Sequence, residues 1–458
     1  MKDTRAQAAK AIGQVLGKGE SFTGDIDSLA SKASASQSAN RPSDDKNDRG
    51  FYRELCFGTL RHFYKLDAQL QPLLKKSFAK KDADIHALLL IGLYQIQYMR
   101  TPDHAAISAS VEAAKHLKKI WAKGLVNAVL RNFLRQQNAS NTATALADAA
   151  AASHPQWLFK KLKQDWPDHW QNIVEYNNSP PPMAVRINRQ QQSREQYQQQ
   201  LAASDITSQP VSYTDCGLML DGAVAISQLP DFEQGVSSVQ DPGAQLAASL
   251  LNASDKMRVL DACSAPGGKA IHILEIAPKC LLLAVDSSSD RLLRVEENIA
   301  RHQQGRQRSQ TDAAQISCLH ADANNTKSWW DGKAFDRILL DAPCSGTGII
   351  SHHPDIKLLR RPGDINTFAK QQMQLLNNLW PLLASEGELL YCTCSIMPEE
   401  NARLIDAFLA ATPKAKALPI ECGKGEWGIA CGAGRQLLPN RGKNGGFFYA
   451  RLSKSATV

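Results

Sequence analysis

The sequence predicts an α/β protein built in three parts. These are an all-helical front module, a small α/β linking module and a large domain wound about a mostly parallel sheet. Three observations carry this. From Met257 onward, short apolar runs alternate with helical patterns, the rhythm that builds parallel sheets. Residues 1–138 carry apolar residues only at helical spacing. Between them stand Pro180, Pro181 and Pro182, a stiff extended connection running into a new strand. A chain of 458 residues also exceeds one ordinary core, so several domains are expected.

In the front module, residues 1–138, helices are expected over Thr4–Leu16, Phe51–Leu66, Ile85–Met99, Ala105–Leu117 and Ala122–Arg135. Ile85–Met99 is the central core helix, because apolar residues lie all round it. A polar Ser-rich stretch ends in the charged run Ser43–Gly50, read as a loop. Residues 1–140 hold 22 Lys/Arg against 13 Asp/Glu, an excess of nine positive charges. The remainder holds 31 against 32, so the net +8 sits at the front. A basic module beside a neutral one suggests docking to an anionic polymer. Lys118, Lys119, Lys123, Arg131 and Arg135 lie close in sequence, although each alone reads as a solvated surface charge.

Residues 139–183 read as a linker and helical connection, with an Ala/Thr/Ser-biased stretch over 139–152 and a helix starting near Pro155. Residues 184–238 form the small α/β module: the strand MAVRIN, a Gln-rich helix over Ser193–Ala203, and the short strands LMLDG and VSSVQD. The large domain, residues 239–458, opens with a helix over Asp241–Leu251. Strands follow at Met257–Ala262, Leu281–Asp286, Gln315–Asp322, near Phe335, and within Gly387–Ser395. Helices stand between them, including Thr367–Leu383 and one opened by Pro398–Asn401. The tail ends in an apolar strand, Gly445–Leu452.

Two stretches carry chemistry. DACSAPGGKA (Asp261–Ala270) takes a strand through a Gly-Gly turn into a helix, a geometry suited to a nucleoside cofactor lying across strand ends. It is neither a P-loop nor GxGxxG. Asp261, Asp286 and Asp322 place an acid at or near the ends of three successive strands. That pattern points to S-adenosylmethionine, with Asp286 meeting the ribose diol and Asp322 the adenine amino group. The second stretch, FDRILLDAPCSGTG (Phe335–Gly348), runs a buried strand into an acidic, proline-stiffened loop bearing Cys344. Gly346 and Gly348 are expected to let a flat base approach.

Cys394 follows the next strand, so the two thiols can converge over one pyrimidine. A thiolate adding at carbon 6 makes carbon 5 nucleophilic enough to take a methyl group, and a second group then assists release. The residues themselves leave open which thiol does which. A nearby cation such as Lys269 would lower a thiol's pKa, and Asp341 would contact an exocyclic amino group, favouring cytosine. Base-amino methylation would call for a D/N-P-P-Y/F loop, which DAPC is not. Cys56, Cys216, Cys280 and Cys318 read as inert core, and Cys392 as a core-facing neighbour of Cys394. The ten cysteines contain no CxxC pair, which argues against zinc and disulfides and for reduced thiols in a cytoplasm. Neither a secretory signal nor a membrane-spanning run is legible.

DACSAPGGKA, DAPCSGTG and TCSIMPEEN together resemble the Sun/Nop-type family of RNA cytosine-5 methyltransferases. GTLRHFYKLD, LLLIGLYQI and KGLVNAVLRNFLR resemble the NusB-like RNA-binding domain, so the resemblance covers nearly the whole chain. It implies a Rossmann-like, S-adenosylmethionine-dependent enzyme that methylates carbon 5 of a cytosine in 16S ribosomal RNA, cytoplasmic, monomeric and without a metal. It implies Cys394 as nucleophile and Cys344 as the release thiol, with Asp341 and Lys269 beside them. Cofactor contacts are implied from Cys263, Ser264, Ala265, Pro266, Gly267, Gly268 and Lys269, and from Asp286, Asp322 and Asp341. The mild departures are SSSD after Asp286, Cys392 where a small residue is usual, and a polar insert at Gly305–Ala314. The competing readings are a non-catalytic RNA-binding scaffold, methylation of another RNA, and a DNA cytosine methyltransferase, whose nucleophile would be the Pro-Cys thiol Cys344.

Overall fold

The computed structural model describes residues 3–22, 46–138, 146–304, 315–421 and 425–455. The chain folds as two compact units. One comprises Met1–Ser179 with Ile350–Pro362, the other Pro180–Ile349 with Gly363–Val458.

The first unit is helical throughout its described residues. The helix Thr4–Lys18 starts where Asp3 accepts a hydrogen bond from the Ala6 amide, and stops at Gly19 in the left-handed region, φ 70°. Ala83–Tyr98 is buried on every side along most of its length, as its all-round apolar sequence requires. Asp103–His116 and Ala122–Asn138 pack about it. The charged run read as a loop is in part helical. Lys46–Arg61 is one helix, with Asp48 in its first turn where the helix dipole favours an acid, and a second helix continues over Phe63–Leu70. Ser43–Asp45, positions 139–145 of the expected linker and the insert Gly305–Ala314 lie outside the described residues. Lys357 ties Ile350–Pro362 into this unit. Its buried ammonium donates to the carbonyls of Arg61 (2.6 Å) and Ser153 (2.9 Å) and to Asn178 Oδ1 (2.9 Å).

The second unit begins with a four-stranded antiparallel sheet of β1 (Met183–Ile187), β2 (Ser208–Pro210), β3 (Gly217–Leu220) and β4 (Ser237–Val239), in the order β2-β3-β1-β4. The Gln-rich helix is Arg194–Ala203, opened by a capping box between Ser193 and Gln196. It buries only Tyr197 and Leu201, so the glutamines form its solvent face. Arg186 of β1 is wholly buried and reaches the helix Gly268–Ile276. There its Nε and Nη2 each donate to a Glu275 carboxylate oxygen at 2.8 Å.

The large sheet contains β5 (Arg258–Ala262), β6 (Leu281–Asp286), β7 (Gln315–His320), β8 (Phe335–Asp341), β9 (Leu383–Thr393), β10 (Ala415–Leu418), β11 (Ile429–Cys431), β12 (Gly434–Leu437) and β13 (Phe447–Lys454). Its order is β11-β12-β13-β9-β8-β5-β6-β7, with β10 on β13. β7, β6, β5, β8 and β9 run parallel, and β13 adds antiparallel to β9. The chain winds from β5 outward to β7, then returns to lay β8 on the other side of β5. The β5/β8 seam is therefore a topological switch point, where open sheets of this kind bind ligands. Several boundaries shift by a few residues, among them the strand ends at His320, Leu383 and Lys454, and two helix starts differ more. The helix read as Thr367–Leu383 spans Pro362–Leu379, because Pro362 suits a first helical turn and Leu383 already opens β9. Pro398–Asn401 is a turn, and the helix itself is Ala402–Ala411.

Candidate active site

The carboxyl ends of five parallel strands build the site. Asp286 ends β6, Asp341 ends β8, Cys263 follows β5, Asp322 lies just past β7, and Cys394 follows β9. A cavity of about 410 Å³ opens here, lined by Cys263, Asp286, Arg291, Asp322, Asn324 and Pro343 among others.

The turn after β5 is held from within. Cys263 and Gly267 adopt left-handed backbone, φ 63° and 93°. A Cβ on Gly267 would stand 3.1 Å from Val295 Cα, so glycine is required there twice over. The Ser264 amide donates to the Val285 carbonyl (2.9 Å), Ala265 to Asp286 Oδ2 (3.0 Å) and Gly267 to the Ser264 carbonyl (2.8 Å). These three amides are consumed by the fold, and Ser264 and Ala265 are buried. Asp286 takes one bond on each oxygen, from Ala265 and from the Ser288 amide (3.0 Å). An ionised carboxylate has about four acceptor sites, so capacity for a ribose diol remains. Asp322 takes the Asn324 amide on Oδ1 (2.9 Å). These carboxylates and the left-handed turn fit a nucleoside with a cationic group. Asp261 does not belong with them. It is fully buried, both its oxygens lack a partner, and it does not line the cavity.

Across the switch point, Cys344 Sγ and Cys394 Sγ lie 3.4 Å apart. The hydrogen bond to Cys394 raises Cys344 most, and burial and the Glu400 charge push it the same way. Lys269 Nζ donates to Asp341 Oδ2 at 2.5 Å, and Cys392 Sγ to Asp341 Oδ1 at 3.3 Å. Burial alone would lower the Lys269 ammonium. The Asp341 carboxylate outweighs it, helped by Cys392 and Cys394, and holds Lys269 above the ordinary lysine range. The structure thus brings together Cys344, Cys394, Asp341 and Lys269, and sets Cys392 against Asp341 within the same cluster. Cys392 is buried, as a core-facing neighbour should be, yet it is also a partner of the site. Gly348 serves a different contact from the one expected. A Cβ there would meet the Gly446 carbonyl, and the Gly348 amide donates to the Cys394 carbonyl (2.9 Å) while its carbonyl accepts from Gly446 (2.7 Å). The glycine lets two chain segments touch.

Sequence reasoning missed Glu400, Asn401 and Gln372, which hydrogen-bond around the two thiol loops from beneath. PEEN was legible as a motif, but nothing in it says that Glu400 turns inward. Several front-module cations are engaged locally: Lys119 with Asp82 and Asp84, Lys123 with Glu112, and Arg131 with Asn127.

Comparison with known proteins accords with this geometry. The family model of the 16S rRNA methyltransferase RsmB/F matches residues 248–453, the NusB family model residues 2–135, and the RsmF/B-like ferredoxin-like domain residues 154–227. A ribosomal RNA small subunit methyltransferase B from Pseudomonas putida is 46% identical over 453 residues, covering 99% of this chain and 98% of that one. The chain belongs to the RsmB/F family. Its counterpart in Pseudomonas syringae pv. tomato is 44% identical over 455 residues, covering 99% of this chain and 97% of that one. The crystal structure of PH0851 shares the fold, with a TM-score of 0.80 at 20% identity over 98% of this chain and 99% of that one. As a member of the RsmB/F family, the protein is a methyltransferase that uses S-adenosylmethionine. Cys263, Asp286 and Asp322 line the cavity that would hold it. Among the described residues, no cluster fit for a metal occurs and no helix is long and apolar enough to cross a membrane.

Proposed function

We propose that this protein methylates carbon 5 of a cytosine in 16S ribosomal RNA through a covalent adduct to Cys394. The observation that carries the reading is the pair of thiols 3.4 Å apart on the same strand ends as the Asp341–Lys269 pair, with Cys344 next in the chain to Pro343 of the cavity wall. Relatives named as small-subunit ribosomal RNA methyltransferases support the substrate class. The Cys394 thiolate adds to carbon 6 of an unstacked base and leaves carbon 5 an enamine nucleophile. Bound S-adenosylmethionine supplies the electrophilic methyl group that carbon 5 takes up. Cys344, a thiol held protonated by its surroundings, then gives its proton to the departing Cys394 sulfur 3.4 Å away and receives the carbon-5 proton in its place. That electron pair restores the 5,6 double bond and expels Cys394. Asp341 orients the exocyclic amino group, and Lys269 pairs with Asp341 and fixes its carboxylate in place. Cofactor contacts run from Cys263 through Lys269 and from Asp286, Asp322 and Asp341. The domain division follows the same logic: a helical RNA-docking module over 1–138, a connection over 139–183, a small RNA-contacting module over 184–238 and the catalytic domain over 239–458.

The test is covalent trapping on ribosomal RNA carrying 5-fluorocytosine. Wild type is expected to form a complex that survives denaturation, and Cys394→Ala none. Cys344→Ala is expected to stay bonded to ordinary RNA. The Pro343-Cys344 sequence supports one rival, in which Cys344 is the nucleophile. Under that rival Cys344→Ala loses the adduct and DNA competes as substrate. Bisulfite sequencing of ribosomal RNA from cells lacking the protein then identifies the cytosine.

A further inference from the structure

We propose that Glu400 is a positioning residue that sets the separation of the two reacting sulfurs. The inference rests on the thiol-pair reading above and goes one layer beneath it. Glu400 is fully buried, and its carboxylate hydrogen bonds go to Ser345, Gln372 and Ser395, not to a sulfur. It thus bonds the residue that follows each cysteine. Oε1 accepts from the Ser345 amide (2.8 Å) and Gln372 Nε2 (3.0 Å). Oε2 accepts from Ser345 Oγ (2.6 Å) and Ser395 Oγ (2.5 Å). Four donors fill the capacity of one carboxylate.

The residues preceding the cysteines are held by the same assembly. Gln372 Nε2 also donates to the Pro343 carbonyl (2.9 Å). Thr393 Oγ1 donates to Asn401 Oδ1 (2.7 Å), and Asn401 Nδ2 to the Ser395 carbonyl (2.9 Å). The Tyr391 hydroxyl, buried beneath, donates to the Glu400 carbonyl (2.6 Å). Every chain neighbour of Cys344 and Cys394 is thus tied to Glu400, Asn401 or Gln372. With both flanks fixed, each sulfur keeps little more than rotation about its own side chain. Two sulfurs must address carbons 6 and 5 of one ring, and errors of about 1 Å at such centres cost on the order of 100-fold in rate. A carboxylate suits this task because one rigid planar group reaches two loops with charge-assisted bonds.

The test reads distance through bridging, and because Glu400→Gln also removes a charge that raises Cys344, Ser395→Ala, which keeps that charge, is its control. Diamide joins two nearby thiols into a disulfide while its N=N bond takes up their two hydrogens. Peptide mapping then reads the rate of Cys344–Cys394 bridging in full-length protein. In Glu400→Gln, with the thermal midpoint followed alongside, bridging is expected to slow about tenfold. kcat on 16S ribosomal RNA is expected to fall about 100-fold, with KM for both substrates within about threefold. Ser395→Ala removes the Glu400 tether on the Cys394 loop, with the hydroxyl's bonds to Ser345 Oγ, Thr347 Oγ1 and the Met397 amide, and leaves the Asn401 ties, so a smaller loss of the same kind is expected. Should Glu400→Gln fail to fold, Ser395→Ala decides alone. Unchanged bridging and unchanged kcat overturn the proposal, as does a KM rise at constant kcat. Slower bridging with undiminished methyl transfer supports the positioning role and overturns instead the assignment of these thiols to the reaction.

Discussion

At the scale of single residues, Asp261 is the outlier. A carboxyl group with no exposure and no partner on either oxygen favours its proton. Burial raises it well above the ordinary range, and Asp341 and Asp286 add to the shift while Lys269 opposes it. The unfolded chain ionises this group near pH 4. Above that pH the folded state retains a proton that the unfolded state has released, so wild-type stability falls as pH rises through the window up to the folded pKa. Asp261→Asn carries no such slope. It is expected to match wild type near pH 4 and to exceed it by about 1–3 kcal/mol at pH 8, as read by urea unfolding at each pH. The sequence made Asp261, Asp286 and Asp322 look alike, because each stands at or near a strand end. Which way an acid faces there depends on local twist and on the turn that follows, and neither has a signature in one sequence. The thiols were easier, because strand order placed Cys344 and Cys394 on neighbouring carboxyl ends.

Among elements, the turn from β5 into the helix Gly268–Ile276 depends on Gly267. Gly267→Ala strains a backbone at φ 93° and drives a methyl group toward Val295. A cost of about 1–3 kcal/mol in unfolding free energy is expected, with weaker S-adenosylmethionine binding by calorimetry. Arg186 gives the second prediction at this scale. Arg186→Met leaves Glu275 buried without its bidentate partner and should lose about 3–5 kcal/mol by denaturant unfolding. Adding Glu275→Met should return most of it, since a buried pair replaced as a whole is near neutral. The alternation of β5 through β9 was readable from apolar runs and turn residues. The Arg186–Glu275 link was not, because 89 positions separate its ends and a lone arginine in MAVRIN reads as an ordinary outward-facing residue. The helical start at Lys46 was missed for a related reason. A run as charged as KNDRG reads as solvent-exposed loop until its first-turn aspartate is weighed.

For the molecule as a whole, acid sensitivity follows from histidines held neutral, His62, His154 and His272 foremost, with His353 lowered by desolvation as well. Burial, then Lys357, Arg61 and Lys65, push His62 down to about 3. Burial first, then Lys357, lowers His154 well below its ordinary value, and burial and then Arg186 do the same to His272. Unfolded histidine takes up its proton near pH 6.5. Below that value the unfolded state binds protons that the folded state refuses, so stability drops as pH falls from about 6.5 toward the folded values. The expected slope approaches about 1.4 kcal/mol per pH unit for each such histidine. Thermal midpoints measured from pH 7.5 to 5 should fall steadily, and His62→Gln should flatten the trend.

Within the second unit, the guanidinium of Arg186 also spans the small sheet and the cofactor helix, with a further 2.9 Å bond from Nη1 to the Gly268 carbonyl. Swinging the module aside would strand a desolvated cation and its counter-ion together. Under the proposed function, this face of the enzyme meets its substrate as a finished mould. The deformation needed to present a base falls on the nucleic acid, and sites already unstacked or single-stranded will be the ones that can comply.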